Sequence, residues 1–276
     1  SSIIEGMCGR FVLFTESLLD EVGELPGVTE VHAPQGTPGP RYNIAPTQPV
    51  AIVRVRESLA QVDPARWALL PHWKKDLEGP PLFNARAETV ASKPTFRAAV
   101  RARRCAVPVE GYYEWKTPEP GAKGPDGRAA KKQPYYVHPA GAGDGEGPVI
   151  WFAGLYEWWQ DPEAKAAGED AWVLSTTILT MAAPDADDDD PVLAALGQLH
   201  DRLPVPMDAE TMDRWLAPDT LGSAEEADAL VGQVCAGAYD VAAGWSLRPV
   251  GSAVGNVRNN GPELIQEMRE QQGTLL

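Results

Sequence analysis

Five short segments concentrate polar and reactive side chains between glycines and prolines. They are Cys8-Gly9-Arg10-Phe11, Arg41-Tyr42-Asn43-Ile44-Ala45-Pro46-Thr47, Asn84-Ala85-Arg86-Ala87-Glu88-Thr89, Glu110-Gly111-Tyr112-Tyr113-Glu114-Trp115 and His200-Asp201-Arg202-Leu203-Pro204-Val205. Between them they offer a thiol, an imidazole, carboxylates, amides and guanidinium groups. A thiol can attack a carbonyl carbon, and a carboxylate or imidazole can move the proton. An amide holds a polar atom without titrating, and guanidinium groups hold anions. The run Trp67 to Trp73, W-A-L-L-P-H-W, adds aromatic surface.

Each residue also fits a plainer part. Cys8 alone reads as a small buried hydrophobe or an inert thiol. Asn43 and Asn84 read as turn residues bonded to local backbone, and Asn43 as a brace for a site made by others. Glu114, between Tyr113 and Trp115, suits an outward-facing strand position. His200 suits a satisfied structural histidine, and Trp67 and Trp73 suit core aromatics.

The five segments in this order resemble the SOS response-associated peptidase (SRAP) family. The resemblance runs from Met7 to about Leu264. It includes the block Val254 to Leu264, V-G-N-V-R-N-N-G-P-E-L, similar to the family's N-x-P-R-N-D-x-P-E-L. It implies a single α+β domain with a β-barrel-like core of mixed, mainly antiparallel strands flanked by helices. It also implies that Met7 is removed by autoproteolysis, and that Cys8 then forms a thiazolidine with the aldehyde of an abasic site in single-stranded DNA. Cys8, Asn84, Glu114 and His200 are the catalytic set it implies. The DNA contacts are Arg10, Asn43, Trp67, Trp73, Arg86, Thr180 and Arg202.

Elementary chemistry agrees with that reading. A free α-amine has a pKa of about 7.7 to 8, so part of it is neutral at physiological pH. The neutral amine adds to an aldehyde, and the thiol of the same residue closes a five-membered ring favoured by proximity. Here Cys8 follows seven residues, so its nitrogen is an amide until they are removed. Two rival readings stay open: a thiol peptidase acting on other proteins, and a non-covalent single-stranded DNA-binding module. One departure stands out. Relatives read T-T-x-A-N before the histidine segment, where this chain has Thr180-Met181-Ala182-Ala183-Pro184 followed by the acidic run Asp185 to Asp190.

The bulk numbers set the frame. The chain has 276 residues, 43% of them hydrophobic, enough for a full core. Ser1 to Gly6 reads as a leader left by expression. One domain is expected over 7–276, with a frayed tail after about 265. No apolar run approaches the ~18 residues of a membrane span, and no secretory signal is visible. Three scattered cysteines and four histidines give neither a disulfide framework nor a metal site. No cofactor is expected; a cytoplasmic monomer is. The net charge of −15 opposes nucleic-acid binding unless base is gathered locally, as in Arg97 to Arg104 and Lys123 to Lys132.

The elements expected to position the segments follow from pattern. Strands are expected at Gly9 to Phe14, Val50 to Val55, Ala60 to Leu69, Cys105 to Val109, Tyr135 to His138, Ile150 to Tyr156 and Ala171 to Leu179. A turn is expected at Arg56-Glu57-Ser58. Helices are expected at Glu16 to Leu25 (capped by Thr15), Glu88 to Arg103 with a break near Pro94, Asp208 to Leu216, Ala224 to Cys235, and after Pro262. Ala33 to Pro40 and Lys116 to Pro134 read as loops, and Asp185 to Asp190 as an acidic insert.

Overall fold

A computed structural model describes residues 9–124, 126–142 and 147–268. Residues 1–6, expected to be a leader, together with Met7 and Cys8 therefore lie outside the described residues, as does the end of the chain from 269. Fourteen strands are found among the described residues. They are β1 (Phe11–Leu13), β2 (Glu30–His32), β3 (Arg41–Ile44), β4 (Pro49–Arg56), β5 (Leu59–Trp67), β6 (Asn84–Arg86), β7 (Arg104–Val109), β8 (Gly111–Lys116), β9 (Gln133–Pro139), β10 (Ile150–Gln160), β11 (Trp172–Ala182), β12 (Arg202–Pro204), β13 (Pro206–Met207) and β14 (Trp245–Pro249). The α-helices are α1 (Leu18–Gly23), α2 (Ala87–Val90), α3 (Arg97–Ala102), α4 (Pro162–Ala166), α5 (Pro191–Leu199), α6 (Ala209–Leu216), α7 (Ala224–Ala236) and α8 (Ala238–Ala242).

The strands β11-β10-β7-β4-β5 pair in sequence, and β5 then pairs back to β11 in parallel, Ser175 with Arg66 and Thr176 with Trp67. Those five strands close into a barrel, which removes two sheet edges. The β4–β5 hairpin is fixed locally. Glu57 and Ser58 both take positive φ, 50° and 67°, as a tight hairpin turn requires. The barrel core holds Trp67, Phe152, Leu155, Ile178 and Trp215, all essentially unexposed. Burying each such side chain contributes about 1.5–3 kcal/mol.

A second, antiparallel sheet in the order β14-β9-β8-β1-β3 lies against the barrel. Strand β1 joins the two. Phe11 and Leu13 face the main core, whereas Val12 faces a small cluster with Tyr113, Tyr136, Val250, Val254, Leu264 and Ile265. That is the period-2 alternation of a strand packed on both faces.

The expected α+β architecture with a barrel core is the one found, and several local readings needed correction. Helix α1 starts after Ser17; Thr15 instead accepts the Ser17 N–H on its hydroxyl at 3.1 Å. The helix broken near Pro94 is two short helices, α2 and α3. Asp185 to Asp190 is no loose insert. Asp190 caps α5 by accepting the Val192 and Leu193 N–H groups, and a Cβ on Gly197 would stand 2.3 Å from the Pro184 carbonyl. The loop is thus folded tightly onto α5. Among the described residues no helix is long and apolar enough to cross a membrane, and no cluster suits a metal ion.

Candidate functional site

Strand register brings Gly9, the first described residue, to a buried carboxylate. Phe11 pairs with Tyr112 and Val12 with Gly111, and the Tyr113 N–H donates to the Arg10 carbonyl at 3.0 Å. One residue further along the same register, buried Gly9 stands across from Glu114. Glu114 is only 4% exposed, so the outward-facing reading of it fails. Alternation along β8 turns Glu114 to the same face as Tyr112, toward the main core, and its Oε1 accepts the Trp115 N–H at 3.1 Å. Gly111 opens this strand because nothing larger fits. A Cβ there would stand 2.4 Å from the Tyr136 ring, whose hydroxyl donates to the Glu110 carbonyl.

Helix α5 packs against β8 and β14 and delivers His200 at its C-terminal end in extended conformation. The His200 ring is partly exposed at 27%. Its Nδ1 accepts the Arg202 N–H at 3.1 Å and lies 2.9 Å from the Asp201 carboxylate. In the neutral ring the first contact needs a bare Nδ1 and puts the proton on Nε2, whereas a bond to Asp201 needs a proton on Nδ1. The backbone donor is fixed in place, so the Nε2–H tautomer is favoured while the ring is neutral.

Strands β6, β11 and β12 gather another four of the expected residues. Asn84 pairs with Ile178 and Arg86 with Thr180 in the parallel β6–β11 ladder. Arg202 opens β12 beside them. Its Nη1 and Nη2 donate to both Glu88 carboxylate oxygens at 2.5 and 2.8 Å, and Nη2 also reaches the Thr180 carbonyl at 2.8 Å. This bidentate bond, more than any other influence, holds the Glu88 carboxyl below its ordinary range. Thr180 is fully buried and its backbone anchors Arg202. Arg86, by contrast, is exposed at the N-terminal end of α2.

Besides Thr180, two more residues expected to contact DNA sit below the surface. Asn43 is fully buried, and its Nδ2 lies within bonding distance of the Val254, Asn256 and Asn259 carbonyls at 3.2, 3.1 and 3.0 Å. It braces the C-terminal block and offers nothing to a strand. Trp67 is likewise fully buried, stacked on Phe11 at 3.9 Å, with its indole N–H on the Phe83 carbonyl. It therefore supports the floor beneath Asn84. Trp73 is the exposed aromatic of that run, at 57%.

Arg10 reaches the Asn43 side chain and the Val254 carbonyl and lies over Trp115 at 5.7 Å. The basic run Arg97 to Arg104 gathers no groove either. Arg104 is buried, donating to five carbonyls that include Trp215 and Ala217. Arg101 holds Leu221 and Gly222, and Arg103 pairs with Glu157. The sequence reading missed Glu88 and Glu110 as partners. Glu110 accepts the Phe14 and Thr15 N–H groups, and its place in a motif segment was the signal.

Such a fold, with strand β1 set between a barrel and a sheet and opposite a buried carboxylate, defines a single-domain α+β protein. The chain belongs to the SOS response associated peptidase (SRAP) family, whose model matches residues 7–257. It is 33% identical over 261 residues to the abasic site processing protein YoqW of Bacillus subtilis, covering 94% of this chain and 99% of the relative. With the abasic site processing protein YedK of Escherichia coli the identity is 30% over 261 residues, again 94% and 99% of the two chains. A crystal structure of a Bacteroides thetaiotaomicron protein shares the fold, with a TM-score of 0.65 at 18% identity over 95% of this chain and all of that one.

Proposed function

We propose that this protein processes abasic sites in single-stranded DNA by capturing them covalently on Cys8, after autoproteolytic removal of Met7. The observation that carries the reading is the register of β1 on β8, which sets Gly9, the residue after Cys8 in the chain, across from buried Glu114. The names of the similar proteins support the abasic-site part of the reading. The neutral Cys8 amine adds to the sugar aldehyde and water leaves, giving an imine. The thiol then adds across the imine carbon, and its proton passes to nitrogen. Glu114 shuttles protons in both steps. The His200 Nε2–H faces the ring oxygen of the closed sugar as it opens, and Asn84 fixes a polar atom without titrating. Of the expected cations, exposed Arg86 is the readier phosphate contact, because Arg202 already holds Glu88. The protein acts as a monomer on the unpaired strand.

A denaturing gel tests this. Protein freed of residues 1–7 should form a heat- and detergent-stable adduct with an abasic single strand, and Cys8→Ala should abolish it. A normal adduct yield from Cys8→Ala overturns the mechanism. Peptide turnover in the absence of DNA would point instead to a peptidase acting in trans.

A further inference from the structure

A groove outside the candidate site carries its own recognition chemistry. It encloses about 370 Å3 and is lined by Thr47, Pro49, Arg66, Trp158, Trp172 and Leu174, among others. Trp158 pairs with Leu174 across β10 and β11, and Trp172 lies two residues before Leu174. The two indoles therefore share one sheet face as diagonal neighbours, a spacing of about 7–8 Å. Both are exposed, at 37% and 51%. Trp158 is steadied from below by Arg54, whose guanidinium lies 6.0 Å from its ring. The Trp172 indole N–H is fixed on Asp170 at 2.6 Å, which sets the edge of the ring and leaves its face open.

Arg66 is the one charged residue among those that line the groove, in a chain of net charge −15. Its Nη1 donates to the Thr47 carbonyl at 3.3 Å, and no carboxylate pairs with it among the described residues. Two open indole faces beside a cation suit a ligand that is flat, aromatic and anionic. The rim of the groove is tied through the chain to the N-terminal strand. Its rim residue Thr47 ends the segment Arg41 to Thr47, whose Ile44 pairs with Phe11 of the N-terminal strand.

We propose that this groove is a second contact for the same DNA strand, stacking an unpaired base on Trp172 and Trp158 with its phosphate at Arg66. This rests on the single-stranded DNA reading above, but it concerns undamaged nucleotides away from the lesion.

Titration of indole fluorescence with undamaged oligothymidylate tests it. The double variant Trp158→Ala and Trp172→Ala should bind about tenfold more weakly than the parent, by the usual worth of base stacking. Trp172→Phe should keep most of the affinity, as a stacking role requires and a merely structural one does not. Arg66→Gln should flatten the salt dependence by about one phosphate contact. Adduct yield on an abasic strand at saturating protein should not change in any of these. Equal affinity of the double variant and the parent for undamaged strand overturns the groove, even if adducts form. Absence of adducts in the parent overturns the covalent mechanism instead and leaves this titration valid.

Discussion

The barrel and the five-stranded sheet are held together in different ways. The barrel is a large apolar core in which two buried hydroxyls bond to the neighbouring strand: Ser175 donates to the Glu157 carbonyl and Thr176 to that of Leu155. The sheet has a small apolar cluster and relies on buried polar clamps. Asn43 and Arg10 hold the block after Val254, Glu110 holds the Phe14–Thr15 corner, and the Tyr113 hydroxyl holds the Tyr42 carbonyl. Apolar burial is strong and indifferent to direction, whereas hydrogen bonds are weaker and fix geometry. The N-terminal strand lies where the two meet, so one side supplies stability and the other supplies position.

Breaking the barrel should cost most. Trp215 is fully buried and its indole N–H donates to the Cys105 carbonyl at 3.0 Å. Trp215→Ala should lower unfolding stability by about 3–5 kcal/mol, read from denaturant midpoints. Asn43→Ala should cost about 1–3 kcal/mol, because it strands carbonyls in place. Its distinguishing mark should be faster hydrogen exchange confined to the block from Val254 to Ile265. If Asn43→Ala cost as much as Trp215→Ala, or loosened the barrel strands equally, the contrast would collapse.

The smallest effect sharpens the comparison through pH. His138, on the sheet, is buried and stacked on Tyr136 at 4.9 Å. Burial is the main reason its pKa falls below the ordinary value; a bond at the Pro139 carbonyl opposes this, and Arg248 adds to the lowering. Below about pH 6.5 the unfolded chain therefore takes up a proton that the folded chain refuses. Stability should decline as pH falls through that window. His138→Phe should show a shallower decline from about pH 7.5 to about pH 5.5, roughly one unit either side of the ordinary histidine pKa. An unchanged slope would mean that the sheet does not titrate there.

Much of the fold was legible because its signals are local. The strands of the barrel showed apolar runs and alternation, and the turn at Glu57-Ser58 showed its polar residues. Asp190 was misread because a cap is a relation between a side chain and N–H groups that exist only once α5 forms. Strands β3 and β14 were missed for a similar reason. They are short and acquire their pairing from β1 and β9, which lie far away in the chain. At the site, residue types announced reactive groups, yet nothing in the sequence told exposed Arg86 from committed Arg202, or exposed Trp73 from buried Trp67.

From the order of its segments, the sequence determined the family and the reactive groups on offer, since the reactivity of a thiol, an amine or a carboxylate belongs to the residue itself. Tertiary structure alone decided that the barrel closes through the parallel pairing of β5 and β11, that Asn43 and Trp67 serve as supports, and that Glu88 occupies Arg202. Burial and pairing are long-range properties: each depends on which distant strand lies alongside, and no residue carries that information by its type.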